Sequence, residues 1–238
     1  METSRGRRRP VAQQDRGIRT RRMILEAAAA VFDDRGYDRA TIAEVLERAG
    51  VTKGALYFHF ASKEQLAMAV LDEHVLDIAV EPRQIKLQEF VDAGQVLAYR
   101  LRNDPIQRGA ARLAVEQGSN HLDRKQSMLS WTRFVEGLLN EARDRGEILE
   151  SIEVHDTAEL FVGAFAGLQM MSHALTNRAD LNHRLTVFFQ HTLPSVAVPA
   201  ILAKLTLDPE RGEKLDAALQ EKASSGADVH DDVDAVAS

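Results

Sequence analysis

The chain has 238 residues, 45% hydrophobic and 28% charged, with no cysteine. That permits one or two domains with a sizeable core and excludes disulfides and thiolate chemistry, with a reducing cytoplasm as the default. The net charge of −6 is unevenly spread: residues 1–65 carry 13 Lys+Arg against 9 Asp+Glu, a net of +4, and the rest carries 17 against 27, a net of −10. Such asymmetry points to a basic binding head on an acidic body.

Residues 1–15 are polar and Arg-rich without periodicity and read as a flexible arm. The opening METSRGRRRP leads into no apolar run, so it does not read as a secretory signal. No apolar stretch approaches the roughly 18 residues that span a bilayer, so a cytoplasmic, nucleoid-associated protein with no membrane partner is expected. From Thr20 the pattern turns helical, with Ile24, Leu25, Ala28, Val31 and Phe32 at three- and four-residue spacing, and Gly36 stops it.

Thr41 and Glu44 then form a capping box, Ile42, Val45, Leu46 and Ala49 make an apolar stripe, and Gly50 is a natural left-handed helix end. Thr52 is a good N-cap for a short next helix, and a second box, Ser62 with Gln65, opens a longer one carrying Leu66, Val70 and Leu71. Capped helix, tight turn and short helix form a helix-turn-helix pattern.

After about residue 82 the chain stays helical, without β signals. Asp104 and Pro105 pair an N-cap with proline at the first helical position. The stretch 131–142 is amphipathic and stops at Gly146, and a very apolar helix begins near 156. Another runs from about 180 to 193, and DPER starts a last short one. The tail after about Lys222 is acidic and poor in large apolar residues, which predicts disorder.

The stretch VTKGALYFHF, residues 51–60, crowds three aromatics, a lysine and a histidine into one short segment. The second helix of a helix-turn-helix enters the major groove and presents its N-terminal residues to base edges. Close approach needs small residues, which Gly54 and Ala55 supply, and Lys53 can donate to guanine O6 and N7. Thr52, Tyr57 and His59 can reach phosphates, and Tyr57 also a thymine methyl. Leu56 and either Phe58 or Phe60 are expected to face the core.

Residues 20–71, through KGALYFHF and SKEQL, resemble the DNA-binding domain of the TetR family of transcriptional repressors. RLAVEQG, FVGAFAGLQ and HTLPSVAVPAIL further resemble the γ-butyrolactone autoregulator receptors of filamentous actinobacteria. The resemblance implies an all-α fold, with a helix-turn-helix domain at 16–65, a helical ligand-binding and dimerisation domain at 66–221 and a tail at 222–238. It implies phosphate contacts at Thr41, Thr52, Tyr57, His59 and Lys63 and base contacts at Lys53 and Gly54. Arg16, Arg19, Arg21 and Arg22 of the basic arm add salt-dependent attraction.

In that subgroup a tryptophan of the central body closes the ligand pocket, and Trp131 is the only tryptophan here. Leu97, Val115, Phe134, Phe161, Phe165 and Gln169 are the expected neighbours, with Gln169 open between pocket and dimer interface. Two C-terminal helices from each subunit would form the homodimer, with Gly163, Ala164, Ala166 and Gly167 permitting close approach. The implied partners are a pseudo-palindromic double-stranded operator and a small lipophilic γ-butyrolactone-type signal controlling secondary metabolism or development, with no cofactor. The alternative is a regulator of the same family answering an antibiotic, drug or acyl ligand. The acidic pI of about 5.8 favours the lactone, since relatives that do not bind it tend to be more basic.

An enzyme finds no support. The eight histidines form no HExxH or comparable ligand cluster, and neither a phosphate-cradling glycine loop nor a G-x-S-x-G elbow occurs. A purely structural DNA-binding protein would need a body without a cavity.

Overall fold

The computed structural model describes the backbone of residues 9–76, 80–115 and 124–233. In these residues the helices are α1 (Arg9–Arg39), α2 (Ile42–Ala49), α3 (Lys53–His59), α4 (Lys63–Leu76), α5 (Lys86–Asn103) and α6 (Pro105–Val115). They continue with α7 (Arg124–Asp144), α8 (Val154–Thr176), α9 (Leu181–Thr192), α10 (Pro199–Leu202) and α11 (Arg211–Val233). The fold is all-α, its β-type pairing among the described residues being the isolated bridge between Ile148 and Ala197.

The chain divides into two compact units, Met1–Leu76 with Asp104–Ser127, and Asp77–Asn103 with Met128–Ser238. In the first unit, Ile24, Leu25 and Phe32 of α1 meet Val45 of α2, Leu56 of α3, Leu66 and Val70 of α4, and Ile106 and Leu113 of α6 in one apolar cluster. Residues from five helices at helical spacing close this core because each helix brings only a narrow apolar stripe. α6 lies on α1 so closely that a Cβ on Gly109 would stand 2.3 Å from the Ala29 carbonyl oxygen. Arg108 Nε pairs with Asp33 Oδ2 at 3.1 Å beside this crossing.

The packing boundary therefore does not coincide with the division expected at residue 65. All of α4 and the distant α6 belong to the first unit, because the apolar faces that complete its core come from them. The ends also differ from expectation. α1 begins at Arg9 rather than Thr20. Residues 11–16 hold no helix breaker, and Pro10 sits in the first turn, where its missing N–H costs nothing. Residues 1–8 of the expected arm lie outside the described residues. Gly36 does interrupt α1, with φ 73° and ψ 172°.

In the second unit α5 is the central helix, buried almost all round and packed by α9 and α11. It carries charged groups into the interior, each with partners, as buried charges require. Asp92, 0% exposed, receives Arg211 Nη2 at 2.9 Å and Arg83 Nε at 3.0 Å. The Glu147 carboxylate accepts from the Lys86 and Leu87 N–H groups at 3.0 and 2.9 Å, capping the first turn of α5 from a distant loop. Arg100 Nε reaches Asp216 Oδ1 at 2.5 Å. The Arg211–Asp92 and Arg100–Asp216 pairs anchor α11, which continues through the expected tail to Val233 instead of ending as a short helix, and residues 234–238 lie outside the described residues.

Candidate nucleic-acid interface

Two caps frame the turn. Thr41 Oγ1 accepts from the Glu44 N–H at 3.2 Å, while Glu44 Oε2 accepts from the Thr41 N–H at 2.9 Å and its hydroxyl at 2.8 Å. These hydrogen bonds, the hydroxyl's first, hold the Glu44 carboxyl below the ordinary carboxylate range. The Thr41 hydroxyl, expected on a phosphate, is thus committed to the cap in the free protein. Gly50 takes up φ 64°, ψ 28°, and its N–H closes on the Leu46 carbonyl at 3.0 Å. Only a residue tolerant of the left-handed region lets α2 stop and the chain turn here.

Thr52 then caps α3, its Oγ1 accepting from the Ala55 N–H at 3.3 Å. Leu56 is fully buried and Phe60 nearly so, and they fix the helix to the core. The same seven residues present Lys53, Gly54, Tyr57 and Phe58 outward, next to exposed Thr52, with Ala55 and His59 half-buried. Of the two phenylalanines offered to the core, Phe60 goes in and Phe58 stays 84% exposed. Phe60 caps α3 next to the core, whereas Phe58 falls two residues beyond Leu56 and so on the far side of the helix.

Lys53 Nζ stands 5.9 Å from the Tyr57 ring centroid, so the two donors share one column of the helix. Lys63 Nζ lies 4.4 Å over the Tyr37 ring and donates to the Asp38 carbonyl at 3.4 Å. Burial raises the Tyr37 phenol above its ordinary value, with Glu64 and Asp38 adding to the shift. The second cap differs in detail from the expected box. Gln65 N–H does donate to Ser62 Oγ at 3.0 Å, but the Gln65 side chain accepts from Ala61 rather than from Ser62, at 2.6 Å. Of the arm residues, Arg19 is exposed, Arg21 lies 5.4 Å over the Phe60 ring and Arg22 pairs with Glu26 at 2.8 Å.

Trp131 and Phe134, both half-buried on α7, meet edge to face at 5.9 Å. Phe161 of α8 meets Phe90 and Phe188 edge to face, at 4.8 and 5.6 Å between ring centroids. Leu97 and Gln169 are buried and Phe165 half-buried, while Val115 belongs to the other unit and its side chain lies outside the described residues. A cavity of about 190 Å³ in the second unit is lined by Tyr99, Arg102, Asn182, His183, Glu210 and Glu213 among others. Sequence reasoning had not singled out that cavity, since its walls come from three segments far apart in the chain.

A five-helix core that displays a capped, donor-bearing short helix defines a helix-turn-helix regulator, attached here to an all-helical body. Comparison with known proteins makes this specific. A profile of bacterial regulatory proteins of the tetR family matches residues 24–70. The A-factor receptor protein of Streptomyces griseus is 40% identical over 213 residues, 90% of this chain and 76% of that protein. Among solved structures, a full-length native TetR regulator, TylP of Streptomyces fradiae, superposes with a TM-score of 0.80 at 46% identity, covering 84% of this chain and 97% of its own. A gamma-butyrolactone receptor described as ArpA-like superposes with a TM-score of 0.59 at 25% identity, covering 87% and 98%. The chain belongs to the TetR family of bacterial regulatory proteins and is a DNA-binding transcription regulator, not an enzyme.

Proposed function

We propose that this regulator acts as a dimeric repressor whose α3 reads a pseudo-palindromic operator and which a γ-butyrolactone-type ligand releases. The observation that carries the DNA half is the divided α3: Leu56 and Phe60 anchor it while Lys53, Gly54 and Tyr57 face outward. The carried-over contacts at Thr52, Lys53, Gly54, Tyr57 and His59 all belong to this one turn and helix. Two-fold symmetry would set the half-sites about 34–36 Å apart or at a multiple of it.

The ligand half rests on likeness to the A-factor receptor along nearly the whole chain and to a protein described as a gamma-butyrolactone receptor. Trp131 offers a large apolar face with one N–H, which suits a lipophilic lactone bearing few polar atoms. The dimer half rests on α8, where Leu160, Met171 and Leu175 are exposed apolar residues and Gly163 and Gly167 lie open beside them. Positions 160, 163, 167, 171 and 175 recur at three- and four-residue spacing, a single stripe of the helix.

The test is to select a site from random duplex DNA and follow its release by fluorescence anisotropy as synthetic γ-butyrolactones are added, comparing wild type with Trp131→Ala. Release of wild type at micromolar lactone, with the variant retained on DNA, is the expected outcome. A palindrome that binds but ignores every lactone would move the ligand to the antibiotic, drug or acyl class.

A further inference from the structure

Phe58 and Gly54 are each at odds with what the free protein needs. Phe58 is 84% exposed, more than any other large apolar residue among the described residues. Leu56 and Phe60 already fill the core beneath α3, so the fold does not ask for a third apolar side chain there. Its ring meets the neighbouring His59 ring edge-on at 5.1 Å, a contact made at the surface.

Gly54 lies one turn earlier on the same column of the helix, four residues away and so about 6 Å along it. Its backbone is not in the left-handed region, and a Cβ added there would meet nothing within 4 Å. Neither conformation nor internal packing therefore calls for glycine, although glycine weakens a helix. A bare backbone shelf beside a projecting ring is explained by something outside the chain that comes close at 54 and is apolar at 58.

The surroundings identify that partner as double-stranded DNA. Thr52, Lys53 and Tyr57 border the pair with hydrogen-bond donors, and residues 1–65 carry a net charge of +4 in a chain of net −6. In the major groove the apolar feature on the base edges is the C5-methyl group of thymine, which phenylalanine side chains contact. Tyr57 is less suited to that methyl. It is 43% exposed, Lys53 Nζ shares its ring face, and its hydroxyl serves better on a phosphate.

We propose that Phe58 reads a thymine: its ring packs on the C5-methyl of one base in each half-site while the base edge approaches over Gly54. This rests on the DNA-reading function proposed above and assigns to the column Gly54/Phe58 an apolar specificity beside the polar one of Lys53. The contact distinguishes thymine from cytosine, and from uracil, by one methyl group.

Deoxyuridine removes that methyl and nothing else, which makes the test specific. In the selected duplex each thymine is replaced by deoxyuridine, symmetrically in both half-sites. Dissociation constants are then measured by anisotropy at fixed salt for wild type, Phe58→Ala and Phe58→Leu. Burial of one methyl corresponds to roughly a fourfold change in affinity, and two half-sites to about fifteenfold. One symmetric position is expected to show that loss with wild type. Phe58→Ala binds the thymine duplex correspondingly more weakly and no longer discriminates thymine from uracil, while Phe58→Leu keeps part of the discrimination. Thermal melting of both variants is expected to match wild type, since the ring supports no core.

A wild type indifferent to deoxyuridine everywhere would overturn the proposal without reference to any variant. An equal loss by Phe58→Ala on thymine and uracil duplexes would also overturn it, placing the ring on the sugar–phosphate backbone. Failure to select any duplex would bring down the DNA-reading function itself, an outcome distinct from both.

Discussion

The two units solve the same problem, fixing helices in place, by different means. The DNA-reading unit is held by apolar stripes and by caps whose partners lie three or four residues apart, as in Thr41 with Glu44 and Gln65 with Ser62. The body unit sinks charges into its central helix and satisfies them from far along the chain, as in Asp92 with Arg211 and Arg100 with Asp216. The first arrangement leaves an outer face free for a partner while the elements stay rigid. The second makes the position of α5 depend on several remote residues at once.

The largest expected effect separates the two designs. Asp92→Ala leaves the Arg211 and Arg83 guanidiniums facing a buried gap and is expected to cost about 3 kcal/mol. Denaturant unfolding followed by circular dichroism measures it, and a change below about 1 kcal/mol would mean that the buried pair is not what seats α11. Selected-duplex binding by the still-folded fraction should persist, because Asp92 belongs to the body unit.

Gly109→Ala is the corresponding blow to the head. The new Cβ would stand 2.3 Å from a backbone oxygen of α1, which cannot swing aside like a side chain. Forced separation of α6 from α1 is expected to cost about 2 kcal/mol, and DNA affinity should fall with it. Wild-type melting and binding in this variant would show that α6 is not integral to the reading unit.

The smallest effect concerns the α2 cap. Glu44 has its pKa depressed chiefly by the Thr41 hydroxyl and N–H, so its contribution is present above the carboxylate's unfolded value, about 4.3. That contribution is lost as pH falls through the still lower folded value. The stability difference between wild type and Glu44→Gln should therefore be constant near neutral pH and shrink on acidification below about pH 4. A difference that instead grows in acid would show that the charge on Glu44 opposes the cap.

What could be read from the chain divides along the same line. The Thr41–Glu44 box, the left-handed Gly50, the Thr52 cap and the Asp104 cap of α6, with Ile106 N–H on Asp104 Oδ1 at 2.7 Å, all lie where their spacing puts them. Such interactions join residues at fixed short separations, so local sequence specifies them almost alone. The choice between Phe58 and Phe60 was not legible, because both fit an aromatic-rich helix end and only the core's position decides which faces it. The start of α1 at Arg9 and the run of α11 to Val233 were also missed, since each helix propagates beyond its own apolar pattern from an anchored segment.

By itself, then, the sequence determined the helical class, the capped turn at 50–52, the donor-bearing α3 and the family to which they belong. Tertiary structure alone decided that α6 completes the head, that Asp92, Glu147 and Asp216 are interior anchors, and that Phe58 is left outside. The reason is separation along the chain. A contact over three residues needs no loop closed, whereas Asp92 meets Arg211 only after the intervening helices have packed, and the composition of either segment is compatible with several other partners.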